Sequence, residues 1–329
     1  MIITQTPFRI SFIGGGSDIP QFYRHSPGAT ISTAINKYVY VCLSKNFYEN
    51  LIRLSYSKTE IVEDLNKLEH TRVRACLEKF GIKNGIEIVT IADIPSKGTG
   101  LGSSSSFTVG LLNALYAYKG ETAGKELIAN DACKVEIETL KQPIGKQDQY
   151  IASFGGFKFI EYLSNDKIVV NDILCKQETL FHIQESILLF FTGITRSSDS
   201  ILKNQIIGYK KVDKFKEMQK MVKLAHELRK DIENNNLNSF GNILHEGWLI
   251  KKTLADGISN PEIDEMYNIA RMNGALGGKL LGAGGGGFLL VYASPKNHEA
   301  IRQGLNKYKE VKISFEPDGT KIFFKNINE

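Results

Sequence analysis

Apolar positions change their period near the middle of the chain. Up to roughly residue 180, short β-rich runs, ATISTAINKYVYVCLSKNF and GIEIVTIADI, alternate with stretches of helical spacing over 60–80 and 107–119, the interleaving expected of an α+β domain over 1–180. From 199 to about 235 the chain turns charged and helical, with Phe215, Met218, Met221, Val222, Ala225 and Leu228 on one face, so its basic face reads as solvated. A second helical unit follows. GGKLLGAGGGGFLLVYA then predicts strand, glycine turn and strand, and a further helix and strand complete a second unit over 181–329. Neither a repeat nor a long low-complexity linker divides the chain, so the two units are expected to pack against each other.

Between the β-rich runs lies IPSKGTGLGSSSSFTVGLLNALYAY, residues 94–118. Phe107, Leu111, Leu112, Leu115 and Tyr116 recur at helical spacing, which puts four serines at the amino end of a helix, where backbone N–H groups are unpaired and the dipole is positive. Gly98, Gly100 and Gly102 let the backbone approach a ligand closely and aim its amides, as glycine-rich loops do for phosphates; a serine hydroxyl adds a ligand for Mg²⁺. A flexible loop closed by a serine cap is the plain alternative. Familiar nucleotide motifs do not account for the stretch. GxxxxGK[ST] is absent, GAGGGG over Gly282–Gly287 precedes a strand where a dinucleotide site needs a helix, and no HRD or DFG occurs.

Composition narrows the class. The chain has 329 residues, 42% hydrophobic and 23% charged, in the range of a folded protein of one large or two medium domains. Lys and Arg outnumber Asp and Glu by 41 to 36, a weak preference for anions that falls short of a nucleic-acid signature but suits small phosphorylated molecules. The start lacks signal-peptide features, no apolar run is long enough to span a bilayer, and Cys42, Cys76, Cys133 and Cys175 lack CxxC spacing. We therefore expect a cytoplasmic protein with no nucleic-acid or membrane partner; monomer and homodimer both remain open. His226 and His245 do not extend to HExxH, so no zinc site is expected, and Trp248 reads as core.

Three segments in order, PFRISFIGGGSD (7–18), PSKGTGLGSSSS (95–106) and LGAGGGGF (281–288), resemble the motifs of the GHMP kinase superfamily. The resemblance spans nearly the whole chain. It implies a two-domain fold, a left-handed βαβ first domain of the small-ribosomal-protein type over 1–180 and a ferredoxin-like second domain over 181–329, binding ATP, Mg²⁺ and a sugar substrate. It also implies roles. Lys97, Gly98, Gly100, Leu101, Gly102, Ser103, Ser104 and Ser105 would bind nucleotide phosphates. Glu136 and Ser104 would ligate Mg²⁺, while Asp148 would take the proton of the sugar hydroxyl or hold that hydroxyl, with Arg9 beside it stabilising developing negative charge. Gly15, Gly16, Ser17, Asp18, Lys146, Arg196, Gly284 and Gly285 would meet the sugar or its phosphate, with Lys97 a second candidate there as an alternative to the nucleotide phosphates. Taken singly, these residues have plain readings: Glu136 as a solvated helix residue, Asp148 as a loop cap, Arg9 as a surface ion pair and Asp18 as an Asx-type turn. Arg72 and Arg74 read first as the coat of a helix, with a place in the same anionic pocket as the alternative.

Gly15 and Gly16 stand where galactokinases carry an acidic residue and a histidine, which would open space and lift a repulsion for an anionic sugar. IGKQDQYIASFGG, FTGITRSSDSIL and GISNPEIDEMYNIARMNGALGGKLLGAGGGGF look like bacterial D-glycero-D-manno-heptose 7-phosphate kinases. That likeness implies phosphorylation of the anomeric hydroxyl to the 1,7-bisphosphate, toward GDP-heptose and surface polysaccharide such as capsule. The alternatives are an anomeric kinase for a neutral sugar such as fucose and a non-catalytic sugar sensor; Glu136, Asp148, Arg9 and the serine loop together argue for turnover.

Overall fold

The computed structural model describes residues 1–95, 98–195 and 199–326. The β-rich runs of the first half build one sheet around two long strands. β1 (Ile2–Ile13) lies antiparallel along β2 (Gly28–Lys45), joined by the short helix α1 (Pro20–Tyr23). β3 (Ile52–Ser55) and β4 (Thr59–Val62) form a hairpin, α2 (Thr71–Lys79) follows, and β5 (Ile86–Ala92) returns parallel to β3 and antiparallel to the second part of β2. Helices α3 (Ser103–Tyr118), α4 (Lys125–Cys133) and α5 (Gln147–Phe154) come next, with α3 against β1 and β2. β6 (Phe157–Tyr162) then pairs with the first part of β2, and β7 (Ile168–Asp172) with β6.

The second half runs α6 (Gln177–Glu185), β8 (Ile187–Phe191), α7 (Asp199–Gly208), α8 (Val212–Glu233), α9 (Phe240–Leu254), α10 (Pro261–Met272), β9 (Ala275–Leu280), β10 (Phe288–Ala293), α11 (His298–Gly304) and β11 (Lys309–Glu310). Its sheet has the order β11-β8-β10-β9, all antiparallel. Strand, helices, two strands, helix and strand in that arrangement make a ferredoxin-like unit. The two sheets share a core: Phe12 of β1 packs on Phe157, Phe240 and Phe315 with ring centroids 5.3, 5.6 and 6.3 Å away. Trp248 is fully buried. No helix among the described residues is long and apolar enough to cross a membrane.

Three expectations about elements need correction. The stretch 60–80 is not one helix. Glu60–Val62 belong to β4, Asp64 caps a 3₁₀ turn, and α2 begins only after His70, whose ring nitrogen accepts the Val73 N–H at 3.3 Å; local caps divide a run whose apolar spacing alone looked continuous. The charged stretch from Asp199 breaks at 209–211 into α7 and α8. The boundary at 180/181 cuts through α6, and the last strand, β12 (Lys321–Lys325), leaves the second unit to pair with β1. That pairing covers an edge of β1 that would otherwise be open.

Candidate active site

A cavity of about 580 Å³ opens at the seam of the two units. Arg9 reaches it from the middle of β1, anchored by its own N–H to the Leu101 carbonyl at 3.0 Å. Its Nε and Nη2 donate to the two carboxylate oxygens of Asp148, each at 2.8 Å, and Nη1 donates to the Gly100 carbonyl at 2.5 Å. This planar two-bond fork fixes the carboxylate's orientation as a lysine would not. The Arg9 side chain is 4% exposed and that of Asp148 24%, so the carboxylate keeps an open side toward the cavity. Asp148 stands in the first turn of α5, at the positive end of the helix.

The glycine loop is clamped between the units. Gly98, Gly100 and Gly102 have φ of +69°, +75° and +73°, in the left-handed region that side chains disfavour. A Cβ on Gly100 would lie 2.4 Å from the Leu281 carbonyl, so the loop touches the turn after β9. Gly102 is the cap of α3. The four serines then divide. Ser103 and Ser104 line the cavity, Ser105 donates to Glu136 at 2.8 Å, and Ser106 donates to the Pro7 carbonyl at 2.8 Å.

Glu136 is fully buried in a π-helical turn over Lys134–Thr139, a widened turn frequent at functional sites. One carboxylate oxygen accepts from Arg72 at 3.0 Å and Thr108 at 2.9 Å, the other from Ser105 at 2.8 Å and Gln149 at 2.6 Å. Arg72 is therefore no surface coat: it lines the cavity and pairs with Glu136. Arg74 does point to the backbone carbonyls of Asn66 and Leu68. Glu136 bonds Ser105, whereas Ser104 is exposed.

On the opposite side Asp18 is 3% exposed, accepting from the Gly16 N–H at 2.8 Å and the Gln147 N–H at 3.0 Å. Burial pushes its carboxyl up, those N–H groups oppose the shift, and the Asp148 charge adds to it. Gly145 makes this approach possible, since a Cβ there would sit 1.9 Å from Asp18 Oδ2. Gly15 and Gly16 line the cavity, but the expectation of opened space fails at Gly16. A Cβ there would meet Gln205 Nε2 at 2.3 Å and the Tyr209 hydroxyl at 2.9 Å, so side chains from α7 and just beyond it take the room. Gly284 lines the cavity, whereas Gly285 turns its N–H to the Ile258 carbonyl at 2.9 Å. Ser17 is engaged with the backbone of Ala29 and fixes the loop. Lys146 lays its ammonium over the Tyr23 ring, 5.3 Å from the centroid, while its N–H donates to the Asp18 carbonyl at 3.2 Å. Leu101 is buried behind the loop. Lys97 and Arg196 lie outside the described residues.

Sequence reasoning missed Lys251 of α9 and Lys279 of β9, both on the cavity wall and each 6% exposed. Burial and the nearby Arg9 charge pull Lys251 down to about 7, and burial with the Lys251 charge pulls Lys279 well below the usual lysine range. A lysine between Gly-Gly and Leu-Leu in a strand pattern was the available signal.

Orphaned polar atoms test whether the cavity fits a phosphorylated nucleotide. Thr99 Oγ1 in the glycine loop and Ser11 Oγ are buried without hydrogen-bond partners among the described residues, and both residues line the cavity; a polar ligand would satisfy them. Among the described residues no cluster of three or more His, Cys, Asp or Glu side chains is built to hold a metal.

Residues 66–156 match the family described as GHMP kinases N terminal domain and residues 228–311 match GHMP kinases C terminal. The D-glycero-alpha-D-manno-heptose 7-phosphate kinase of Campylobacter jejuni is 29% identical, covering 97% of this chain and 98% of that one. An L-fucokinase/L-fucose-1-P guanylyltransferase of Bacteroides fragilis is 26% identical over 92% of this chain but 36% of its own length. The crystal structure of a D-glycero-D-manno-heptose 1-phosphate kinase from Bacteroides thetaiotaomicron superposes with a TM-score of 0.81 at 24% identity, covering 99% of this chain and 100% of that one. The chain belongs to the GHMP kinases. As a member of that family it is a kinase that uses ATP with Mg²⁺.

Proposed function

We propose that this kinase transfers the terminal phosphoryl group of ATP to the anomeric hydroxyl of D-glycero-D-manno-heptose 7-phosphate and releases the 1,7-bisphosphate, in the cytoplasm, as a step of GDP-heptose biosynthesis for surface polysaccharide. The likeness to the Campylobacter jejuni enzyme over almost the full length of both chains carries the reading. Asp148 orients the attacking hydroxyl and takes its proton as the new O–P bond forms. Arg9 holds the plane of that carboxylate and supplies positive charge where negative charge develops on the transferred group. Gly98, Gly100, Gly102, Ser103 and Ser104 meet the nucleotide phosphates through amides, hydroxyls and the head of α3. Mg²⁺, when bound, would neutralise phosphate charge; Ser104 lines the cavity and would hold it, and Glu136, whose oxygens accept from Arg72, Thr108, Ser105 and Gln149, would have to give up one of those bonds to join it. Asp18, with Gly15, Gly16 and Gly284 around it, takes the sugar hydroxyls, and Ser17 and Lys146 support that loop from behind.

Likeness to the Bacteroides fragilis fucokinase favours a second reading, anomeric phosphorylation of a neutral sugar such as fucose. ADP release with the heptose 7-phosphate, the unphosphorylated heptose, mannose 6-phosphate, fucose and galactose, with products read by phosphorus NMR, separates the two. Preference for the heptose 7-phosphate with an anomeric phosphate product is the expected result. Preference for a neutral sugar would discard it.

A further inference from the structure

Two side chains on the cavity wall take no part in the steps above. Lys251 of α9 donates to the carbonyls of Leu280, at 3.4 Å, and Gly282. Lys279 of β9 has neither a hydrogen-bond nor an ion-pair partner among the described residues. Both are more than nine-tenths buried and both line the cavity. The nearby carboxylates are spoken for: Asp148 is engaged by Arg9, and Asp18 by the N–H groups of Gly16 and Gln147. A desolvated ammonium without a counter-charge is unfavourable, and a site that keeps two side by side is built for an anionic ligand.

Their placement gives them a different origin from the nucleotide's phosphate loop, although Lys251 reaches the Gly282 carbonyl in the turn that abuts Gly100. The glycine loop and the head of α3 belong to the first unit, whereas both lysines come from the second. The charges that act on Lys279 are those of Lys251, Arg9 and Asp18, the last on the sugar side. Its strand is also rigidly backed, since a Cβ on Gly277 would lie 1.9 Å from the Gly241 carbonyl and one on Gly278 2.3 Å from the Leu290 carbonyl.

We propose that Lys279, with Lys251 beside it, binds the phosphate group that the sugar substrate carries remote from the reacting hydroxyl. The proposal rests on the phosphorylated-sugar reading above. A phosphate monoester dianion offers three acceptor oxygens, enough for both ammonium groups. Together the lysines select a phosphorylated over a neutral sugar.

The test measures kcat/KM for the heptose 7-phosphate and for the unphosphorylated heptose in the wild type, Lys279→Met and Lys279→Arg, with KM for the 7-phosphate and for ATP determined in each. Lys279→Met should lower the ratio of the two kcat/KM values and raise KM for the 7-phosphate by about 10- to 100-fold, the worth of a hydrogen bond to a charged group. KM for ATP should stay within about threefold. Lys279→Arg keeps the charge and should recover part of the preference. Methionine fills the volume of the lysine stem, and the thermal midpoint of Lys279→Met reports whether it folds. A folded Lys279→Met that keeps both the ratio and KM for the 7-phosphate overturns the lysine assignment and leaves the substrate reading intact. Equal losses for both acceptors with a raised KM for ATP would give the lysines to the nucleotide's transferred phosphoryl group, and so also overturn the proposal. A wild type that prefers the unphosphorylated heptose overturns the substrate reading itself, and the proposal with it.

Discussion

Replacing Arg9 with methionine cuts three hydrogen bonds in the cavity wall, two to the Asp148 carboxylate and one to the Gly100 carbonyl. A bond to a charged group is worth about 1.5–3 kcal/mol, so the two to Asp148 bound the loss at about 3–6 kcal/mol. Asp148 is 24% exposed, so water replaces part of what it loses and the lower bound applies. At roughly 1.4 kcal/mol per tenfold, that is a fall in kcat of about 100-fold. Arg9→Lys keeps the charge without the fork and should lie between the variant and the wild type. The assay is ADP release at saturating ATP and sugar phosphate. Thermal midpoints must accompany it, because removing one partner of a nearly buried pair also destabilises by about 3–5 kcal/mol. If Arg9→Met is folded at the assay temperature and keeps kcat within about threefold of wild type, Arg9 does not serve the transition state and the pairing argument is wrong.

Further outcomes follow from the same geometry. Asp148→Asn should lower kcat by about 10²–10⁴-fold while ATP affinity, measured by calorimetry, stays near that of the wild type; comparable loss of both would recast Asp148 as a structural residue. Gly100→Ala puts a side chain at φ +75° and a Cβ 2.4 Å from the Leu281 carbonyl, so the thermal midpoint should fall with a loss of about 1–3 kcal/mol, and an unchanged midpoint would show that the loop is not clamped. Lys251 titrates lower in the folded protein, about 7, than in the unfolded chain. The unfolded chain therefore binds more protons above pH 7, and this group makes the ligand-free protein more stable as pH rises, by up to about 1.4 kcal/mol per pH unit. Chemical denaturation from pH 7 to 9 should show this rise in the wild type and a shallower one in Lys251→Met, where Lys279, also held below the usual lysine range, keeps its own share; parallel profiles would refute the buried Lys251 charge.

The phosphate loop was legible because its local rules are strict: glycines alternate where positive φ is needed, and the apolar spacing of α3 fixes where the serines fall. Arg9 and Asp148 are 139 residues apart, and only the resemblance joined them before the fold brought β1 against α5. Charge misled elsewhere. Arg72 and Lys251 sit on helices whose charged residues are mostly solvated, so the pocket reading of Arg72 stood behind that of a helix coat, nothing in the sequence turned Lys251 inward, and Lys279 was hidden in a strand read for its glycines. Ser105 and Ser104 are equivalent in the sequence, and one residue of helical rotation, about 100°, buries one against Glu136 and leaves the other exposed at the cavity. The helical reading of 60–80 failed because short apolar runs do not distinguish a strand from a helix until their caps are seen.

The return of β12 to β1 means that the backbone crosses the seam twice, once between β7 and β8 and again between β11 and β12. A unit held by one strand of chain can swivel about several axes; one held by two is restricted chiefly to the axis that passes through both crossings. The Ile35–Phe315 bridge pins the second crossing against β2. Any closing of the cavity over its substrates would thereby be guided along one path. Severing the chain between β11 and β12 would leave every cavity-lining residue in place and still loosen that guide.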